Sequence, residues 1–220
     1  MNPRLLNHGR AVLALHERRG ATTTASRPLL VLHALGENGA WALPIGTEEW
    51  PGAVFALDFI GHGQSSQPQG GGYTPELLMA DADAALAEIG PATVIGSGLG
   101  AYIALMIAGG RPHLVRGAVL CDGPGMAGGG DGPVSSSIVY PNPASHGPPD
   151  PFVLVDLSRD VRPADYAVTF ARHAFELSDL GFPLWVAAKG RPGWLRAVID
   201  QPGVRLASVG EALGELAAIS

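Results

Sequence analysis

Short, unbroken apolar runs recur along the chain, and their continuity is typical of strands buried on both faces of a sheet. The clearest are residues 29–32, 53–57, 92–95, 117–121, 183–188 and 204–207, and a weaker run covers 152–155. An earlier run at 11–16 predicts an antiparallel edge strand.

Helical patterns lie between these runs. Residues 75–89 give the strongest pattern, since Pro75 suits a first helical position and Gly90-Pro91 forms a stop. Further helices are predicted at 99–108, 164–177, 194–199 and 211–219. Strand and helix alternate, and this order predicts an α/β fold with a mostly parallel central sheet and helices on both faces.

Residues 123–151 break this alternation. The segment is dense in glycine, proline and serine, including Gly128-Gly129-Gly130 and Pro148-Pro149. A loop of this length is uncommon in a compact domain unless it covers a site. We interpret it as an irregular cap or lid excursion within a single domain that spans residues 1–220.

Composition narrows the classes of partner. The formal charge is −6 and the isoelectric point about 5.6, without a basic stripe, which argues against nucleic acid as the partner.

No apolar run approaches the length of roughly 18 residues that would span a membrane, so a cytoplasmic location is expected. Cys121 follows Val119-Leu120 and is expected to be a buried thiol without catalytic function. No spacing predicts a metal site or a cofactor.

Four loop sequences then fall into one order. Residues 33–39 follow the first clear strand, 58–65 the second and 96–100 the third, and 112–117 lead into the strand that ends at Asp122. Together they resemble the α/β-hydrolase superfamily, in its small-molecule esterase and lyase branch. The resemblance runs from about Leu29 to Asp122 and implies the α/β-hydrolase fold, here with a reduced cap.

In that family the nucleophile lies at the centre of a Gly-x-Ser-x-Gly turn between strand and helix. The matching sequence here is Gly96-Ser97-Gly98-Leu99-Gly100, so the nucleophile position is Gly98. Ser97 lies one residue early, where its side chain would point away from the site. We favour Ser97 as a turn residue whose hydroxyl bonds to nearby backbone, and the alternative is that Ser97 takes part in catalysis.

The family's acid and histidine are also missing from their usual places. Residues 189–194, after the strand at 183–188, contain no carboxylate; Asp122 stands one strand earlier, where some members carry the acid. Glu211 stands near the position expected for the histidine, and the last histidine, His173, lies on a predicted helix. The resemblance therefore implies a chain without an intact triad.

Loss of the catalytic side chains would leave the backbone N–H groups of the site in place. By resemblance, the oxyanion hole would be formed by the N–H groups of Leu35 and Leu99, with His33 and Asp122 near the rim. The predicted ligand-binding set is His33, Leu35, Ser97, Gly98, Leu99 and Asp122. His33, His62 and Asp58 are expected chiefly to brace loops, and Trp41 and Trp50 to pack rather than to wall a pocket.

Three functions follow from this reading. The first is a pseudoenzyme that binds a small molecule or a partner without hydrolysis. The second is a hydrolase- or lyase-type enzyme acting on a small carbonyl or ester compound, with His33 or Asp122 as displaced acid or base. The third is an assembly subunit, including a homodimer, that uses the fold as a scaffold.

Overall fold

The structure, a computed structural model, describes residues 2–22, 26–40, 43–126, 148–159 and 162–219. Its centre is a sheet whose strands are β1 (Arg4–His8), β2 (Ala11–Arg19), β3 (Leu29–Leu32), β4 (Val54–Asp58), β5 (Ala92–Ser97), β6 (Val115–Cys121), β7 (Leu184–Val186) and β8 (Val204–Leu206). The spatial order is β1-β2-β4-β3-β5-β6-β7-β8. Strands β3 to β8 run parallel to one another, and β2 pairs antiparallel with both β4 and β1. The fold predicted from the alternation of strands and helices is confirmed.

The helices are α1 (Pro75–Ile89), α2 (Leu99–Gly110), α3 (Pro151–Asp156), α4 (Ala164–Leu177), α5 (Gly193–Ile199) and α6 (Val209–Ala217). A short 3₁₀ helix covers Thr47–Glu49. The Thr74 hydroxyl caps α1 by accepting from the Leu77 N–H, and Gly90 ends that helix with a φ of 81°.

Alternate residues of each central strand enter two different cores. Leu30 and Leu32 of β3 face a large cluster that also contains buried residues of α1 to α5. Leu29 and Val31 face a smaller cluster closed by α6 and Trp50. This period-two split explains why the strands read as continuous apolar runs, because both faces are covered.

Two predictions are wrong in detail. Residues 152–155 form α3 rather than a strand, because the Asp150 carboxylate caps the Phe152 N–H and Pro151 takes the first helical position. The run at 11–16 is antiparallel but does not lie at the sheet edge. Strand β1 pairs outside it, since Arg4–His8 folds back as a hairpin partner.

Most of the predicted excursion, residues 127–147, lies outside the described residues. Its first part, 123–126, lies against the turn between β5 and α2. Its last part leads into α3, which packs into the large core through Val153. The single-domain boundary stays a prediction.

Candidate functional site

The turn from β5 to α2 depends on three glycines. Gly98 has φ 52° and ψ −112°, a backbone conformation that favours glycine. A Cβ on Gly96 would overlap the Gly100 carbonyl, and a Cβ on Gly100 would overlap the Leu32 carbonyl. The glycine spacing that carried the family resemblance is therefore required by close backbone packing between strand and helix.

The two N–H groups that the resemblance assigns to the oxyanion hole point at one acceptor. Leu35 and Leu99 both donate to the carbonyl oxygen of Pro124, at 3.1 and 3.0 Å. Both distances are ordinary for N–H···O bonds. The chain's own carbonyl thus lies where the resemblance would place the carbonyl or carboxylate of a ligand.

The loop that supplies this carbonyl is packed directly on the turn. A Cβ on Gly98 would overlap Pro124 and come within 2.6 Å of the Gly123 oxygen. A Cβ on Gly123 would lie 2.7 Å from the Gly98 nitrogen, and one on Gly125 would lie 2.7 Å from the Leu35 Cβ. Three glycines therefore allow two stretches of backbone to meet, and any side chain at residue 98 would separate them.

Apolar side chains surround this contact. Met126, Val153 and Leu157 are all buried in the same cluster as Leu35 and Leu99. The Met126 N–H donates to the Leu157 carbonyl at 3.0 Å. The volume beside Gly98 is thus occupied by packed core, in part contributed by α3.

Aromatic and acidic side chains hold in place the two segments that pack over the turn at Gly98, one at Met126 and one at Asp150. The Trp194 indole donates to the Met126 carbonyl at 2.9 Å. The Tyr73 hydroxyl donates to the Asp150 carboxylate at 2.7 Å, and the Asp150 N–H donates to the Gly61 carbonyl at 2.9 Å. Burial, and then the Asp150 hydrogen bond, raise the pKa of Tyr73, so the hydroxyl stays a donor.

His33 and His62 are buried and brace loops. His33 Nε2 accepts from the Phe59 N–H at 3.1 Å, which leaves Nδ1 to donate to the Ala34 carbonyl at 2.8 Å. His62 Nε2 accepts from the Gly36 N–H at 3.2 Å. Desolvation lowers the pKa of His33 and holds that of His62 well below its usual range, so both rings are neutral at pH 7.

An interaction that the sequence did not reveal joins Asp58 to His16. The two side chains meet at 3.0 Å between β4 and β2, and Asp58 also accepts from the N–H groups of Gly39 and Gln64 at 2.6 and 2.8 Å. Burial acts to raise the Asp58 pKa, but the hydrogen bonds from His16 and Gln64 act in the opposite direction and the pKa is lowered. Asp58 tethers the loop, as expected. The sequence around His16 gave no indication of this contact, because His16 is one of several buried residues in β2.

A second missed group is Asp81 of α1. It is fully buried, and one of its carboxylate oxygens accepts from the Ile60 N–H at 2.9 Å. The other oxygen has no hydrogen-bond partner among the described residues. Desolvation raises the pKa of Asp81 to about 7. Asp81 shares the buried face of α1 with Leu78, Ala82 and Ala85, and a carboxylate among these apolar positions was the signal in the sequence.

Asp122 is exposed and already paired. Its two carboxylate oxygens accept from the N–H groups of Lys189 and Gly190 at 2.7 and 2.8 Å. It therefore ties the loop after β6 to the loop after β7. Ser97 is half-buried at the end of β5, and within the described residues its hydroxyl has no hydrogen-bond partner, so the expected backbone contact is not found there.

Glu211 serves as a helix cap. It occupies the third position of α6 and forms a capping box with Ser208, whose hydroxyl donates to the Glu211 carboxylate at 2.7 Å and accepts from its N–H at 3.3 Å. Hydrogen bonds from the Ser208 side chain and backbone lower the pKa of Glu211. The residue near the expected histidine position thus has a complete structural role.

The remaining candidates are accounted for by packing. Trp50 is buried, and its indole donates to the Arg27 carbonyl at 3.0 Å, whereas Trp41 lies outside the described residues. Cys121 is half-buried, and burial raises the pKa of its thiol to about 12. Among the described residues, no group of three histidine, cysteine or acidic side chains could hold a metal ion. No helix in that part of the chain is long and apolar enough to cross a membrane.

Comparison with known sequences identifies the family. The sequence profile of the alpha/beta hydrolase family matches residues 29–217. The chain belongs to that family. No curated protein matches the chain.

Solved structures show the same fold over the whole chain. The thioesterase domain from the curacin biosynthetic pathway is 17% identical, with a TM-score of 0.63 over 100% of this chain and 98% of that one. A hypothetical protein from Pseudomonas aeruginosa PAO1 is 15% identical, with the same TM-score and coverage. MGS-M2, an alpha/beta hydrolase enzyme from a Medee basin deep-sea metagenome library, aligns over 54% of this chain and 43% of its own, at 19% identity and a TM-score of 0.47.

Proposed function

We propose that this protein is a non-hydrolytic α/β hydrolase, a pseudoenzyme that acts by binding, and that its binding takes place outside the ancestral pocket. The observation that carries the proposal is the Pro124 carbonyl, bonded to the N–H groups of Leu35 and Leu99. Those are the donors that stabilise a developing oxyanion in the family. A protein that uses both donors to hold its own loop has no oxyanion hole to offer a substrate.

The absence of a base supports the same conclusion. Both ring nitrogens of His33 and both oxygens of Asp122 are engaged with backbone groups of their own chain. Ser97 has no histidine or carboxylate within hydrogen-bond distance among the described residues. The alternative of an enzyme with displaced residues needs one of these groups to leave its present contacts, since a general base must reach the proton it removes.

Binding of a small molecule at this place would also be costly. A ligand carbonyl on Leu35 and Leu99 would have to displace Pro124, and each lost hydrogen bond is worth about 1 kcal/mol. The packed side chains of Met126 and Leu157 would have to move as well. The predicted ligand-binding set around Gly98 is therefore replaced in our proposal by binding at another surface. The homodimer stays a prediction.

The test is chemical labelling combined with ester hydrolysis. We expect that a fluorophosphonate probe leaves the purified protein unlabelled and that p-nitrophenyl esters are not hydrolysed above the background rate. Gly98→Ser is expected to stay inactive too, because neither a base nor space for the hydroxyl is present.

A Ser97→Ala variant serves as the matched control for contaminating esterases. Activity that persists in Ser97→Ala comes from another protein and leaves the expectation of an inactive chain in force. Labelling or hydrolysis that disappears in Ser97→Ala would show that Ser97 is a working nucleophile and would overturn the proposal.

A further inference from the structure

A second concave site lies at the opposite edge of the sheet, where the parallel strands begin. It is a cleft of about 750 Å³, and the residues that line it include Arg27, Trp50, Pro51, His113, Arg116 and Ile219. These residues come just before β3, β4 and β6, within β6, and after α6. None of the described residues that line the cleft belongs to the turn at Gly98.

The cleft is cationic, although the chain as a whole carries a formal charge of −6. Two guanidinium groups and one imidazole line it, and none of the described residues that line it is an aspartate or glutamate. Burial, and then repulsion from Arg116, lower the pKa of Arg27. Arg27 and Arg116 thus line the same cleft, and no counter-charge lies among its described lining residues.

The position of Arg27 in the cleft is explained by its hydrogen bonds to neighbouring elements of the fold. Its Nε–H donates to the Thr93 hydroxyl at 2.9 Å, and its other nitrogens donate to the carbonyls of Leu216 and Ile219 at the end of α6. A cation at this helix end satisfies unpaired carbonyls and suits the helix dipole. Three of its five N–H donors are used, so donors remain.

Arg116 has no such role. Its guanidinium forms no hydrogen bond or ion pair with any residue that the structure describes, although it is only half-exposed and lies beside another cation. His113 is exposed on the same wall. Neither side chain forms a hydrogen bond or ion pair with a described residue, and like charges in one cleft are unfavourable unless something negative joins them.

We propose that this cleft binds a phosphate-sized dianion, held by Arg116 and the free donors of Arg27 with His113 at the rim. Guanidinium groups match the oxygens of phosphate through paired, charge-assisted hydrogen bonds. An anion between the two groups also removes their repulsion. The volume is in the range of sites that hold a whole small molecule, so the anion is the phosphate group of a larger ligand.

The test uses the indole N–H signals of the full chain in a proton–nitrogen NMR titration with inorganic phosphate at constant ionic strength. The Trp50 indole donates to the Arg27 carbonyl and so reports on the cleft. The Trp194 indole donates to the Met126 carbonyl at the other edge of the sheet and serves as an internal reference. We expect a saturable shift of the Trp50 signal, with a dissociation constant on the order of 1 mM, and no shift at Trp194.

Arg116→Gln is the decisive variant, and Arg172→Gln is its control. Arg172 is exposed on α4, away from the cleft, and its Nε–H donates to the Gln201 side chain at 3.1 Å, so both variants lose one positive charge but only one changes the cleft. We expect about tenfold weaker phosphate binding in Arg116→Gln and unchanged binding in Arg172→Gln. The Trp194 signal confirms that each variant is folded.

A phosphate monoester such as ribose 5-phosphate forms the second arm. Binding at least about tenfold tighter than that of inorganic phosphate would show that the cleft takes the phosphate group of a larger molecule. Equal binding of the two would leave the dianion site standing but remove the larger ligand. Equal loss of binding in both arginine variants, or a Trp50 shift that does not saturate, would overturn the site itself.

Discussion

The two edges of the central sheet carry opposite arrangements. At the carboxyl edge, the backbone donors and the histidine that the family resemblance assigns to the site are engaged within the chain: the Pro124 carbonyl accepts from Leu35 and Leu99, and His33 is bonded through both ring nitrogens. At the amino edge, Arg116 faces a cleft with no partner among the described residues. Polar groups that are fully satisfied stabilise a fold, whereas an unsatisfied cation in a concave site indicates a ligand.

On the function proposed above, the position of the family's nucleophile has become part of the packed core. The Gly98 position lacks a side chain, and this allows the backbone at Gly123 and Pro124 to close over the turn. Closure then brings Met126 and Leu157 into the apolar cluster. The carboxyl edge, called the closed edge below, should therefore contribute to stability. The amino edge with the cationic cleft, called the open edge, should not.

The largest effect is expected for Gly98→Ala. The added Cβ would overlap Pro124 and Gly123 in a conformation with φ 52°, so we expect a loss of about 3 kcal/mol in the free energy of unfolding, measured by urea denaturation. Gly214→Ala in α6 is the control, because a Cβ there meets nothing within 4 Å. That variant should gain up to about 1 kcal/mol from helix propensity. Equal effects of the two substitutions would mean that the loop does not pack on the turn.

Much of the closed edge follows from the sequence, but its closure does not. The apolar runs and the spacing of Gly96, Gly98 and Gly100 predict the central strands and the turn, because both depend on local pattern. The contact of Pro124 with Leu35 and Leu99 joins segments far apart in the chain through backbone atoms, which leave no side-chain signature. Gly123 and Gly125 were the available signal, and they were interpreted only as part of an irregular segment.

The errors have similar physical causes. Residues 152–155 read as a strand because their side chains are apolar, but the Asp150-Pro151 pair starts a helix. Strand β1 was not predicted, because Arg4–His8 is largely exposed and lacks a continuous apolar run. The cationic cleft was not foreseen at all, since Arg27, His113 and Arg116 are brought together only by the parallel order of the strands.

The second largest effect is the pH dependence of the free energy of unfolding, which arises from buried titratable groups of the closed edge. His33 and His62 have lowered pKa values, so the folded state resists protons that the unfolded chain accepts below about pH 6.5, and stability falls as the pH falls. Asp81, whose pKa is raised to about 7, acts in the opposite sense: its contribution is present at low pH and is lost as the pH rises toward 7.

Asp81→Asn separates these opposing contributions. Between pH 6.5 and 5, the free energy of unfolding of Asp81→Asn should fall about 2 kcal/mol further than that of the wild type, because only the histidines still respond. Urea denaturation at the two pH values measures both slopes. Parallel pH profiles for the two proteins would show that Asp81 does not hold a proton in the folded state.

The smallest effect is expected at the open edge, for Arg116→Gln in the absence of phosphate. Arg116 bonds to no described residue and repels Arg27, so its removal should change the free energy of unfolding by less than about 0.5 kcal/mol, with a gain favoured over a loss. The same variant is the one expected to bind phosphate about tenfold more weakly. A residue that is dispensable for folding but required for binding is what a ligand site predicts. A loss of more than about 1 kcal/mol would instead make Arg116 a structural residue, and the contrast between the two edges would then fail at the open one.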